Sequence, residues 1–207
     1  MKQHLIIYAH PNPQSFNHAI LEQVVHATKK CGWQPVVRDL HALEFNPVLS
    51  WQELAESYQG IINEHIAQEH DFIRHADLIT LIYPLWWMGF PAILKGYLDR
   101  TLTFGFAYQT LNGKSQGLLT GKRLQQFITI GSNWQEYTGF GFDKSIRDTL
   151  ADGLFNFCGI TDITHHVFDD IHLVDKPTLA NYLESAYHIT EKKLNAISSP
   201  NTFSKRL

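Results

Sequence analysis

The sequence predicts an α/β protein, a parallel sheet sandwiched between helices on both faces, on the strength of three observations. Short apolar runs of strand length alternate with longer stretches whose apolar residues recur every three or four positions. The runs at residues 5–9 and 76–83 are apolar almost throughout, as strands covered on both faces are, and 124–130 reads as another buried strand. A chain of 207 residues, 44% hydrophobic and 18% charged, buries enough surface to fold without a disulfide or metal staple. Right-handed crossovers between such strands leave a doubly wound sandwich as the favoured arrangement.

Residues 5–9 (Leu-Ile-Ile-Tyr-Ala) form the first strand, stopped by His10-Pro11-Asn12-Pro13, whose two prolines continue neither a ladder nor a helix freely. Ser15 is the natural N-cap of a helix over 16–30, with Ile20, Leu21, Val24, Val25 and Ala27 at helical spacing and Cys31-Gly32 as its stop. Residues 34–40 read as the second strand; 41–56 read as irregular, with Asn46-Pro47 as a turn. A helix follows from Ile61 to about His75, then the third strand to Tyr83, ended by Pro84. Pro91 is placed as the first residue of a helix reaching about Leu102. The fourth strand spans 124–130, a Gly-, Ser- and aromatic-rich loop 131–141, one helix 143–157, a weaker fifth strand 159–168 and a last helix 176–197. With no repeat or linker-like stretch, residues 1–197 read as one domain and 198–207 as a polar tail.

Composition excludes several classes. The net charge is −3 and no run of Lys or Arg occurs, so the electrostatic footprint of a nucleic-acid binder is missing. Cys31 and Cys158 stand without a second Cys at redox or ligand spacing, which fits a reducing, cytoplasmic compartment. The apolar N-terminal run is too short for a signal peptide. The stretch 78–94 is broken by Pro84, Gly89 and Pro91, and falls short of the ~20 residues a membrane span needs. The twelve histidines are scattered, without the spacing of a zinc site, so no metal is expected.

Five strands favour the order 2-1-3-4-5, which opens a crevice between strands one and three. The loops that would edge it are 10–17, 84–90 and 131–137. The first ends at a helix N-terminus, where free amides and the dipole favour an anion such as phosphate; plain capping by Ser15 explains the same residues. No GxGxxG or GxxxxGK[ST] follows the first strand, which counts against a bare NAD-binding unit and a P-loop. Trp86, Trp87 and Phe90 put bulky planar side chains at the crevice mouth, suited to a flat redox-active ring, to core packing or to a dimer contact. Gly131 and Ser132 let the third loop's backbone approach such a ring.

The segments Ala9-His10 with Ser15-Phe16-Asn17, Asp39-Leu40 with Phe45-Asn46-Pro47, Ala76-Asp77-Leu78 leading to Pro84-Leu85-Trp86-Trp87, residues 89–96, Phe104-Gly105-Phe106-Ala107-Tyr108 and Phe157-Cys158-Gly159 resemble, in order, those of the NAD(P)H:quinone oxidoreductases. That family has a flavodoxin-like three-layer sandwich and includes modulator-of-drug-activity proteins and ancillary oxidoreductases of potassium efflux systems. The match covers about four fifths of the chain.

The resemblance implies a bound flavin, FAD with FMN as the alternative, and a homodimer with sites at its interface. It further implies two-electron ping-pong transfer from NAD(P)H through the flavin to a quinone or similar planar acceptor. Carried over by position, His10, Ser15, Phe16 and Asn17 would hold phosphates and ribityl chain. Pro84, Leu85, Trp86 and Trp87 would line the ring, and Thr129, Ile130, Gly131 and Ser132 its pyrimidine side. Phe104, Phe106 and Tyr108 would complete a substrate pocket from the partner's side. Tyr137 matches the active-site tyrosine, and a phenol there suits negative charge building on a reduced flavin. The histidine expected six residues later is Asp143, which opposes that charge; His165 and His166 read better as structural histidines. The alternatives are an ancillary flavoprotein bound peripherally to a potassium efflux transporter, and a flavodoxin-like electron carrier. Modest charge and the Trp-rich loop count against the carrier.

Overall fold

In the computed structural model, which describes residues 1–199, five parallel strands form the central sheet. These are β1 (Gln3–Tyr8), β2 (Gln34–Asp39), β3 (Leu78–Pro84), β6 (Arg123–Thr129) and β7 (Asp162–Phe168), in the order β2-β1-β3-β6-β7. This is the expected 2-1-3-4-5 order with one hairpin inserted: β4 (Tyr108–Leu111) and β5 (Lys114–Gly117) form a separate antiparallel pair. Asn112 and Gly113 both have positive φ, the two-residue turn an Asn-Gly pair encodes.

Alternation along the strands divides the core. Leu5, Ile7 and Ala9 face one side, with Ile79, Leu81, Tyr83, Leu124 and Ile128. That side is covered by α3 (Glu64–His75), α4 (Ala92–Thr101) and the segment 142–157. Ile6, Tyr8, Ile82 and Phe127 face the other, against α1 (Phe16–Lys30) and α8 (Lys176–Ser198). Because the helices that follow the neighbouring strands β1 and β3 lie on opposite faces, the crevice opens between those two strands.

Several boundaries differ from the sequence reading. Residues 41–56 are not wholly irregular: Trp51–Ser57 is a helix (α2) whose Ser50 cap accepts from the Glu53 amide. α3 begins at Glu64 behind an Asn63 cap rather than at Ile61. Pro91 is the extended residue before α4, not its first helical one. The loop 131–141 contains a short helix, α5 (Trp134–Gly139). The single helix expected over 143–157 is three pieces: α6 (Phe142–Arg147), a π-helical turn Asp148–Gly153 and α7 (Leu154–Phe157). Gly153 permits the widened turn, since a Cβ there would lie 2.2 Å from the Asp148 carbonyl oxygen. α8 runs to Ser198, and the rest of the polar tail from 200 lies outside the described residues.

Candidate functional site

The three predicted loops meet at one edge of the sheet because the registers of β1, β3 and β6 bring their C-terminal ends level, Tyr8 beside Ile82 and Pro84 beside Thr129. Ser15 caps α1: its Oγ accepts from the His18 amide and also bonds Tyr8 Oη at 3.2 Å. The first-turn amides of Phe16 and Asn17 have no intrahelical acceptor and face outward from the helix start. The Phe16 ring turns away from the crevice and packs with Phe168 and Tyr182, so only its backbone is available there.

Asn17 is 1% exposed, and its Nδ2 donates to Thr129 Oγ1 at 2.8 Å, tying α1 to β6 across β1 and β3. Its Oδ1 is buried without a donor, a position that ordinarily awaits one. The Asn12 amide donates to His10 Nδ1 at 3.0 Å, which leaves the proton of the neutral ring on Nε2. Burial pulls the His10 pKa below the usual imidazole value, and the nearby His41 lowers it further. The His10 ring lies 6.1 Å from that of Trp86.

The second loop is anchored where the Leu85 amide donates to the Thr129 carbonyl, with Pro84 and Leu85 buried. Trp86 and Gly89 exchange backbone bonds of 3.2 and 3.0 Å around Trp87 and Met88. Both central residues lie in the left-handed region, at φ 51° and 60°. Each costs of order 1 kcal/mol in that conformation, strain typical of functional segments. Trp86 is 44% exposed and Trp87 fully so, which removes core packing as their explanation.

The third loop is held by residues the sequence reading passed over. Trp134 donates its amide to Asp169 Oδ2 at 2.9 Å, and Asn133 Nδ2 donates to Asp170 Oδ2 at 2.8 Å. Asp170 donates its own amide to the Ser132 carbonyl, and the His172 ring rests on Gly131. The available signal was two adjacent carboxylates immediately after the fifth strand. Thr129 and Ile130 are buried, while Gly131 and Ser132 are exposed at the crevice. Tyr137 is half-buried, stacked on Trp134 with Phe142 edge-on at 5.9 Å.

A family model for the flavodoxin-like fold matches residues 2–190. Over 195 residues the chain is 54% identical to an NAD(P)H oxidoreductase, itself uncharacterized, of Haemophilus influenzae, covering 94% of this chain and 96% of that one. It is 33% identical over 179 residues to NAD(P)H dehydrogenase [quinone] 1 of Rattus norvegicus, covering 77% of this chain and 65% of the longer rat protein. Among solved structures, the NAD(P)H:quinone oxidoreductase from Methanothermobacter marburgensis superposes with a TM-score of 0.84 at 25% identity, covering 93% and 98% of the two chains. The chain belongs to the NAD(P)H:quinone oxidoreductase family.

Phe104 packs on Tyr58 and Tyr108, Tyr108 on Phe157, and Phe106 stacks on His70 at 3.7 Å. Asp143 occupies the first turn of α6, where a carboxylate complements the helix dipole. His165 and His166 lie mid-strand, paired with Gln126 and Phe127 rather than with the edge residues. Burial lowers both, His166 to about 4, so that ring is neutral. A cavity of about 460 Å³ lies away from the crevice, beside residues 43–46 and α3. Its two arginines are committed to carboxylates, Arg38 to Glu69 and Arg100 to Glu53. Among the described residues no cluster of His, Cys, Asp and Glu could hold a metal, and no helix is long and apolar enough to cross a membrane.

Proposed function

We propose that this chain is a flavin-dependent NAD(P)H:quinone oxidoreductase working by two-electron ping-pong transfer. The observation that carries the reading is the convergence, at one sheet edge, of a helix start with free amides, a strained aromatic turn and the loop that leads to Tyr137. The residues fit a flavin: the Phe16 and Asn17 amides suit a phosphate, the orphaned Asn17 Oδ1 suits a ribityl hydroxyl, and Trp86 offers a flat wall. FAD is the proposed cofactor and FMN the alternative. A bound flavin would supply a two-electron carrier that NAD(P)H can reduce and a quinone can reoxidise.

The chain's own contribution is placement and charge. Ser15 and His10 fix the first loop, with the His10 Nε2 proton free to donate to an anion. Tyr137 presents a phenolic O–H where negative charge would build, a stabilisation strongest in a site shielded from water. Trp86 and Trp87 cover a flat ligand and exclude solvent. Phe104, Phe106 and Tyr108 pack among Tyr58, His70 and Phe157, and in the proposed homodimer they serve the partner's pocket. A cytoplasmic location, a quinone-like acceptor and a single domain over residues 1–197 complete the proposal.

The test is steady-state oxidation of NADPH and NADH with a naphthoquinone acceptor at several fixed concentrations. Parallel double-reciprocal lines are the expected result, because both substrates use one pocket in turn. Intersecting lines would contradict the shared pocket, and no oxidation after flavin reconstitution would remove the enzymatic reading.

A further inference from the structure

Gln126 is an amide in the middle of β6, 0% exposed, in a position where an apolar residue would satisfy the core. A buried amide is costly unless its donor and acceptor are both met. Here both are. Tyr83 donates its hydroxyl to Gln126 Oε1 at 2.6 Å, and Gln126 Nε2 donates to the Leu150 carbonyl at 3.0 Å. The second partner exists because residues 148–153 are π-helical, a geometry that takes a carbonyl out of the regular ladder.

The two ends of this chain of hydrogen bonds are informative. Tyr83 lies three residues before the Trp86–Gly89 turn, and its ring lies 5.0 Å from that of Phe90, the residue that follows the turn. Leu150 lies in the turn that follows α6, whose Phe142 rests on Tyr137. Burial keeps the Tyr83 phenol well above its usual pKa, so it remains a donor at any working pH. One hydrogen-bonded path therefore joins the base of the Trp86–Gly89 turn to the segment behind Tyr137.

We propose that Gln126 is a positioning residue that fixes the separation of the Trp86–Trp87 wall from the Tyr137 wall, and with it the fit of a planar acceptor. The inference rests on the reductase reading only in taking those walls as the acceptor pocket.

Two variants test it. Gln126→Leu breaks both bonds; Tyr83→Phe keeps the ring and breaks one. Hydrogen exchange on the cofactor-free chain reads the coupling directly. Amides at 85–90 and 132–142 should exchange about tenfold faster in Gln126→Leu, the factor expected for one net hydrogen bond, with β1 and β2 unchanged. In the flavin-loaded protein, the KM for naphthoquinone should rise about fivefold or more while kcat and flavin affinity stay within about twofold.

Faster exchange confined to 148–153, or spread evenly over the sheet, would overturn the proposal, as would an unchanged KM. If Gln126→Leu fails to fold, Tyr83→Phe decides on the same two measurements. Should the chain bind no flavin, the exchange result still stands or falls alone, so the two readings fail separately.

Discussion

Acid should destabilise this protein through His4, and the size of the effect follows from the geometry. The His4 ring is 0% exposed between Thr28 and Thr80, each hydroxyl 2.7 Å from one ring nitrogen. Thr28 already donates its proton to the Val24 carbonyl at 2.6 Å, so it accepts from Nδ1–H. Nε2 is then bare and accepts from Thr80. The site is built for neutral imidazole, and burial lowers the His4 pKa from 6.5 to about 3. Since the folded value is depressed, this contribution is complete above pH 6.5 and is lost as pH falls from there towards 3. By about pH 5 the loss is about 2 kcal/mol, from 1.4 kcal/mol per pH unit for one proton. The assay is urea unfolding at about pH 7.5 and about pH 5 for the wild type and His4→Gln, whose amide can both donate and accept. Other buried histidines, such as His166, are common to both proteins and cancel in the difference. The wild type should lose about 2 kcal/mol more than the variant on acidification. Equal losses would refute the assignment of a neutral, buried His4.

Three further outcomes are expected. Tyr137→Phe should keep the flavin bound while slowing reduction by NAD(P)H about tenfold, the loss of one hydrogen bond to developing charge, read by stopped flow. Gly96→Ala should destabilise the fold by about 2 kcal/mol in thermal unfolding despite alanine's better helix propensity, because its Cβ would stand 2.1 Å from the Pro47 carbonyl oxygen. Glu69→Gln should cost about 3 kcal/mol in urea unfolding, since it strips the carboxylate from Arg38, only 17% exposed, and from the buried Tyr97 hydroxyl.

Much of the fold was legible because local signals and tertiary burial agree. The run Leu5-Ile6-Ile7 can only be a strand covered on both faces, and Ser15 caps α1 by the geometry its side chain favours. Other features were written locally yet overlooked. Ser50 with Glu53 marks the start of α2, and Asn112-Gly113 marks the hairpin. The break at 148–153 is different in kind: its cause is a steric relation between Gly153 and the Asp148 carbonyl, and Gln126 receives the Leu150 carbonyl from across the sheet. No periodicity encodes that. The crevice loops were placed correctly from strand order, whereas the roles within them depended on packing. Phe16 and Asn17 are sequence neighbours, yet one ring enters the core and the other amide faces Thr129. Asp169 and Asp170, which fix the Tyr137 loop, lie more than thirty residues from the Trp134 amide and the Asn133 side chain they hold.

The most direct test of the central claim is the visible absorption spectrum of the protein, before and after anaerobic addition of NADPH or NADH, with the released cofactor identified by chromatography. A flavin spectrum that bleaches in one two-electron step is the predicted result, and the chromatogram then assigns FAD or FMN. A protein that takes up neither flavin on reconstitution would contradict the account.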